Sequence, residues 1–169
     1  MLIRPVRRGD RERFEDGFVR LGPDSRYRRF LGFKNRLRER ELAFFTEVDH
    51  RGHEALGALD PTSGEGVGVA RYRRLGDGTA AQVSIVVVEP WQGRGVGGAL
   101  LERLALFARG REIARFTVTL LAEHRRMLHL FERLGQVELR PVGDTLELDV
   151  ALDRRPAATA GPAWPPARA

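Results

Sequence analysis

Residues 92 to 98 read Gln92-Gly93-Arg94-Gly95-Val96-Gly97-Gly98, with four glycines in six positions before a Leu/Ala-rich segment. Successive backbone N–H groups at a helix N-terminus form a cradle for an anion, and glycines let the main chain approach a pyrophosphate closely. Arg94 can add positive charge to that cradle. Just upstream, strand alternation places Gln82, Ser84, Val86 and Val88 on one face and Val83, Ile85 and Val87 on the other. The first face carries a polar pair able to orient a substrate or a water, so Gln82 and Ser84 are the candidates for the chemistry. Glutamine itself cannot take up a proton.

The histidines offer less. His124 stands at an expected helix start, where an imidazole of ordinary pKa about 6.5 suits a base and equally a cap. His50 and His53 form H-x-x-H without a third ligand, so they read as loop surface rather than a metal site. With no cysteine in the chain there are no disulfides, cysteine nucleophiles or thiolate metal centres, and no metal is expected. Glu89 follows the strand beside the glycine turn, poorly placed for a base, and Trp91 is expected to pack against that turn.

The elements that must position these residues emerge from periodicity. Leu2 to Val6 reads as a short strand, and Gly9-Asp10 opens a polar helix to about Leu21. Asp24 or Ser25 is a plausible N-cap just after Gly22-Pro23. The segment from Ser25 to Leu37 carries Tyr27, Phe30 and Leu31 at helical spacing, and a second helix over 38–49 presents Leu42, Phe45 and Val48. Strands are expected near residues 54–59, 64–75 and 80–88, the middle one with a wet face at Arg71 and Arg73. Gly76-Asp77-Gly78 reads as a hairpin turn. A helix from Gly97 to Gly110 buries Leu100, Leu101, Leu104 and either Phe107 or Ala108. A strand over Arg115–Leu121, a helix over Glu123–Leu134 stopped by Gly135, and a hairpin turning at Gly143-Asp144 complete residues 1 to 152 as one domain. From Asp153 the chain turns Pro/Ala-rich without periodicity and reads as a disordered tail. Consecutive strands and then two helical crossovers make an α+β, mixed-sheet fold.

Taken as a string, Gly93 to Gly98 satisfies G-x-G-x-x-G, the dinucleotide fingerprint, with Glu123 roughly where a ribose-binding acid would be. Three or four strands precede it, however, and Glu-Pro-Trp-Gln separates strand from glycines, so a dinucleotide-dependent oxidoreductase is a distant reading. A Walker loop is excluded because no Gly-Lys-Ser/Thr comes after the glycines. Gln92-x-x-Gly95-x-Gly97, preceded by a strand and leading into a Leu-rich helix, matches Q/R-x-x-G-x-G/A. This resembles the acetyl-CoA motif of the GNAT N-acetyltransferase superfamily. "IRPVRRGD" looks like that family's first strand and turn, and "LAEHRRMLHLFERLG" like its later helix. "SRYRRFLGFKNRLRERELAFFTEVDHRGHEAL" is similar, more narrowly, to the acetyltransferase domain of bacterial protein-lysine acetyltransferases.

The resemblance covers about residues 2 to 150 and implies the GNAT fold, a mostly antiparallel sheet splayed between two parallel strands with helices on both faces. It implies that strand 82–88 parts from 116–121 and that the gap receives pantetheine, bonded to the backbone of Val86, Val87 and Val88. Gln92, Gly93, Arg94, Gly95, Val96, Gly97 and Gly98 would take the pyrophosphate, and His124 and Phe131, at family positions in the later helix, would also contact the coenzyme. Four departures bear on catalysis: Gln82 replaces a glutamate, Phe131 a tyrosine that protonates the thiolate, His124 an asparagine and Gln136 a phenylalanine.

Three readings stay open. Gln82 and Ser84 orient a water that relays the proton; the acceptor is an amine already partly neutral; or the protein is a catalytically silent acyl-CoA sensor. The implied activity is direct transfer of acetyl from acetyl-CoA to an amine, either a protein lysine or a small amine. The net charge of +6 comes from 29 basic residues interleaved with acids, which reads as solvated helix faces rather than a nucleic-acid track. No apolar run approaches the ~20 residues of a membrane helix, and the opening lacks an apolar signal core. A cytoplasmic enzyme without membrane or nucleic-acid partners is expected, its oligomeric state open.

Overall fold

The computed structural model describes residues 1–76 and 78–152. Among them seven strands form one sheet in the order β1-β2-β3-β4-β5-β7-β6. The strands are β1 (Leu2–Pro5), β2 (His53–Leu59), β3 (Gly66–Arg74), β4 (Ala80–Val87), β5 (Arg115–Leu121), β6 (Val137–Val142) and β7 (Thr145–Ala151). All neighbours are antiparallel except β4 and β5. The architecture is the α+β, mixed-sheet fold expected. Asp77, expected in a hairpin turn, and the tail from Asp153, expected to be disordered, lie outside the described residues.

Helices cover both faces. On one side lies α4 (Val96–Arg109), whose Leu100, Leu101, Leu104, Ala105 and Ala108 are fully buried against the sheet. Ala108, rather than the half-exposed Phe107, completes this stripe. Burial of each such leucine contributes roughly 1.5–3 kcal/mol. The later helix, α5 (Arg125–Glu132), contacts α4 and sends Phe131 into the same core.

Between β1 and β2 stand three helices, one more than expected: α1 (Arg11–Arg20), α2 (Pro23–Phe30) and α3 (Glu39–Thr46). α2 starts earlier than its polar residues suggested, with Gly22 as N-cap and Pro23 in the first turn, where a missing N–H costs nothing. It ends at Leu31, whose φ of 51° is left-handed. The entry to α1 is fixed by Asp10, which accepts bonds from both Arg4 guanidinium nitrogens and from the Arg7 N–H at 2.8 Å. Burial alone would raise the Asp10 pKa, but Arg4, the Arg7 N–H and Arg13 together hold it below the usual carboxylate value.

Because α1–α3 fold over the sheet, one face expected to be wet is dry. Arg71 on β3 is only 4% exposed, whereas Arg73 two residues on is exposed. His53, expected on a loop surface, opens β2 and is buried with its ring stacked 4.7 Å from that of Phe44.

Candidate active site

The pairing of β4 with β5 lasts three residues, Ala80–Gln82 against Arg115–Thr117, and then stops. Beyond it β4 stays paired with β3 through Val87, so its other edge is open. The Val88 N–H donates to the Val67 carbonyl at 3.0 Å. Antiparallel alternation then turns the backbone groups of Ile85 and Val87 toward the gap, and those of Val86 toward β3. The Gln92 side-chain amide confirms the phase by donating to the Val87 carbonyl at 2.9 Å.

A cavity of about 390 Å³ occupies this gap. Its walls include β4 from Val83 to Val87, Val118, Thr119 and Leu120 of β5, and the start of α4. Its far side is closed by His124, Met127 and Leu130, and its near side by Ser25, Arg28 and Arg29 of α2. Ile85, Val86 and Val87 are only partly buried although helices flank the sheet on both faces. Apolar residues left half-covered inside a fold are suited to an apolar ligand segment.

At the mouth stands the glycine turn. Gly93 and Gly95 have φ of 72° and 80°, the left-handed region that glycine enters without steric cost. The first helical N–H groups have no partner four residues back. Among the described residues those of Val96, Gly97 and Gly98 find no acceptor, while Ala99 bonds to the Gly95 carbonyl. Gly97 also lets α4 sit close, since a Cβ there would come within 3.3 Å of Leu130 and 3.6 Å of Ile85.

The side chains around the turn hold it in place. Gln92 bridges from Val87 to the Ser25 hydroxyl at 3.3 Å. Glu89 accepts the Gly22 N–H at 2.9 Å, tying α2 to the end of β4. Trp91 packs on the core and Arg94 lies over its ring at 5.4 Å.

Of the residues singled out in the sequence, Ser84, Val86, Val87, Gln92, Gly93, Gly95, Val96, Gly97, Gly98 and His124 line the cavity. Four do not. Gln82 is exposed on β4 opposite Arg73 and beside Thr117. Arg94 is exposed to solvent over Trp91. Val88 is spent on the β3 ladder and walls a different cavity. Phe131 is fully buried among core residues, so its ring cannot touch a bound molecule without rearrangement. Sequence reasoning missed Ser25, Arg28, Arg29, Thr119, Met127 and Leu130. The SRYRRF run was the available signal for the first three, read there as helix spacing, a cap at Ser25 and a family likeness.

His50 has another occupation. At φ 54°, it holds Nδ1 2.7 Å from Glu54, whose carboxylate is buried and also 3.2 Å from Arg111. Among the described residues no three His, Cys, Asp or Glu side chains gather as a metal site, and no helix is long and apolar enough to cross a membrane.

A parallel strand pair that parts beside the start of α4 is the splayed sheet that the GNAT resemblance implied. The comparisons with known proteins agree. The model of the Acetyltransferase (GNAT) family matches residues 14–136, and the chain belongs to that family. It is 32% identical over 139 residues to Acetyltransferase Pat of Mycolicibacterium smegmatis, covering 82% of this chain and 41% of the relative. The chain thus spans about two fifths of that relative's length. The structure of the GNAT domain of S. lividans PAT superposes with TM-score 0.82 at 29% identity, covering 89% of each chain. That of yncA from Salmonella typhimurium, solved with its cofactor acetyl-CoA, superposes with TM-score 0.69 at 18% identity, covering 95% of this chain and 98% of that one.

Proposed function

We propose that this protein is an N-acetyltransferase that moves the acetyl group of acetyl-CoA to an amine. The observation that carries the reading is the parting of β4 from β5 after three residue pairs, directly above unpaired N–H groups of the glycine turn. The residues fit acetyl-CoA. The N–H groups of Val96 to Gly98 suit a pyrophosphate, and the edge of β4 at Ile85 and Val87 suits the amides of pantetheine as an added strand. Bound there, acetyl-CoA supplies an acetyl thioester.

The chain's own residues then orient the amine and handle its proton. Ser84 lies on the cavity wall and Gln82 farther along the same face of β4, neither able to act as a base at neutral pH. They orient a water that carries the proton to solvent, which the open surface at Gln82 permits. Among the described residues that line the cavity, His124 is the histidine. The leading acceptor is a protein lysine, by the resemblance of the SRYRRF…HEAL segment to bacterial protein-lysine acetyltransferases, with a small amine next.

The same two substitutions favour a second reading, an acyl-CoA sensor without turnover. Gln82 cannot abstract a proton, and Phe131 has no hydroxyl and is sealed in the core. Thiol release from acetyl-CoA with a panel of amines, measured on the wild type and Gln82→Glu, separates the two. The enzyme reading expects amine-dependent release that rises about 10-fold or more in the variant, a fraction of the roughly 10²–10⁴-fold that a well-positioned general base contributes. Tight acetyl-CoA binding with no release from either protein would leave the sensor standing.

A further inference from the structure

A second cavity of about 90 Å³ lies between α1–α3 and the face of the sheet that carries Ser84. Its wall is mostly Phe14, Phe18, Phe30 and Phe45 with aliphatic neighbours, yet it also carries four arginines and one aspartate. Asp10 is already engaged by Arg4 and Arg13. That leaves Arg29 and Arg71, facing an aromatic cavity without a carboxylate.

Arg71 is 4% exposed. Its two terminal nitrogens donate to the Phe44 and Phe45 carbonyls at 3.3 and 3.1 Å, the orphan acceptors at the end of α3. Its Nε is buried with no hydrogen-bond partner. A buried donor left unmatched is costly, and native proteins seldom keep one without a reason. Arg29 makes no hydrogen bond or ion pair among the described residues; its guanidinium lies over the rings of Phe30 and Phe45, 5.1 and 5.8 Å from their centroids. The two cations act on each other as well. Burial first, and Arg29 second, push the Arg71 pKa down, and burial lowers that of Arg29 to about 10. Two like charges with a free donor between aromatic walls lack one thing, an anion.

The location ties this to the active site. Arg71 lies directly opposite Ser84 across the β3–β4 ladder. Arg29 and Val86 border both cavities. We propose that Arg29 and the Arg71 Nε form a subsite for a carboxylate carried by one of the two reactants, either the amine acceptor or the acyl donor. Resting on the acetyltransferase reading, the proposal narrows the substrate class to a carboxylate-bearing amine or a dicarboxylic acyl thioester. The same charges disfavour a nearby ammonium and so lower the pKa of an incoming amine, which lessens the need for a base at position 82.

Two arms identify the source. One compares γ-aminobutyrate with butylamine as acceptors of acetyl from acetyl-CoA; the other compares succinyl-CoA with butyryl-CoA using butylamine. The subsite predicts a preference for the carboxylate in kcat/KM of at least about 10-fold in one arm, carried by KM, and collapse of that ratio toward one in Arg29→Met. Arg29→Met is chosen because Arg71 also holds α3, and its loss could unfold the protein.

A binding readout is independent of turnover. Butyrate, but not butylammonium, should raise the melting temperature of the wild type, and not that of Arg29→Met. The unliganded Arg29→Met protein should itself melt higher, by about 2–4 °C, since a like-charge contact is removed. Calorimetry with acetyl-CoA in the same preparation reports on the acetyltransferase reading separately. Absence of any carboxylate preference in both arms, or a preference and butyrate shift unchanged in Arg29→Met, overturns the subsite even where acetyl-CoA binds.

Discussion

The two cavities that meet at Val86 and Arg29 are made of different materials. The one between β4 and β5 is walled by main chain at the points that matter: the open edge of Ile85 and Val87 and the free N–H groups after Gly95. The one under α1–α3 is walled by side chains, phenylalanines and arginines from helices and strands far apart in sequence. A site made of backbone needs only a local conformation, so it is fixed by a few glycines and by where a strand pairing ends. A site made of side chains needs helices and strands to fold together first, and its charges must be satisfied by those neighbours or by a ligand.

That difference predicts where each region breaks. The largest effect is expected on the side-chain site. Arg71→Met removes the donors of the Phe44 and Phe45 carbonyls and should cost about 3–4 kcal/mol of folding stability by denaturant titration. A loss below ~1 kcal/mol, the scale of one ordinary hydrogen bond, would mean that α3 does not depend on this guanidinium. Next comes the backbone site. Gly95→Val, at φ 80°, strains the turn and misdirects the N–H cradle, and should weaken acetyl-CoA binding at least about 100-fold by calorimetry. An unaltered affinity would place the pyrophosphate elsewhere.

A smaller effect separates the regions by pH. Burial, with Arg71 nearby, lowers the His53 pKa to about 4, against about 6.5 in the unfolded chain. Between those values the unfolded state binds more protons, so stability falls as pH falls through this window. The loss from pH 7 to pH 5 should be about 2 kcal/mol and should vanish in His53→Phe. The depressed Asp10 carboxylate contributes its own loss only at lower pH, below the ordinary carboxylate value, so the two are separable. An equal slope in His53→Phe would assign the pH response to another group. The smallest effect is expected at Arg94, which is exposed and lies over the Trp91 ring. Arg94→Ala should change acetyl-CoA affinity by less than about 3-fold, and a larger loss would draw that guanidinium into the cradle.

How legible each region was in the sequence divides along the same line. Gln92 to Gly98 suggested a cradle through spacing, and the succession of strands and helices along the chain came from periodicity and turns. The splay of β4 from β5 came with the family resemblance, since nothing in VSIVVV distinguishes a paired edge from an open one. Arg71 was misread because Arg71-Tyr72-Arg73 alternates like a strand with a solvated face. Whether that face is wet depends on α3 covering half of it, which is a tertiary fact. Phe131 was placed against the coenzyme by family position, yet on α5 it turns into the core while Met127 and Leu130 face the gap. Ser25 looked like a cap and is instead the hydroxyl that holds Gln92.

The most direct test of the central claim is calorimetric titration of the purified protein with acetyl-CoA, with S-acetylpantetheine, which lacks the pyrophosphate, and with NADH. Micromolar binding of acetyl-CoA, at least about 100-fold weaker binding of the pantetheine fragment and no heat from NADH are the predicted results. Equal binding of the fragment, or NADH binding in place of acetyl-CoA, would contradict the assignment of the glycine turn to the coenzyme's pyrophosphate.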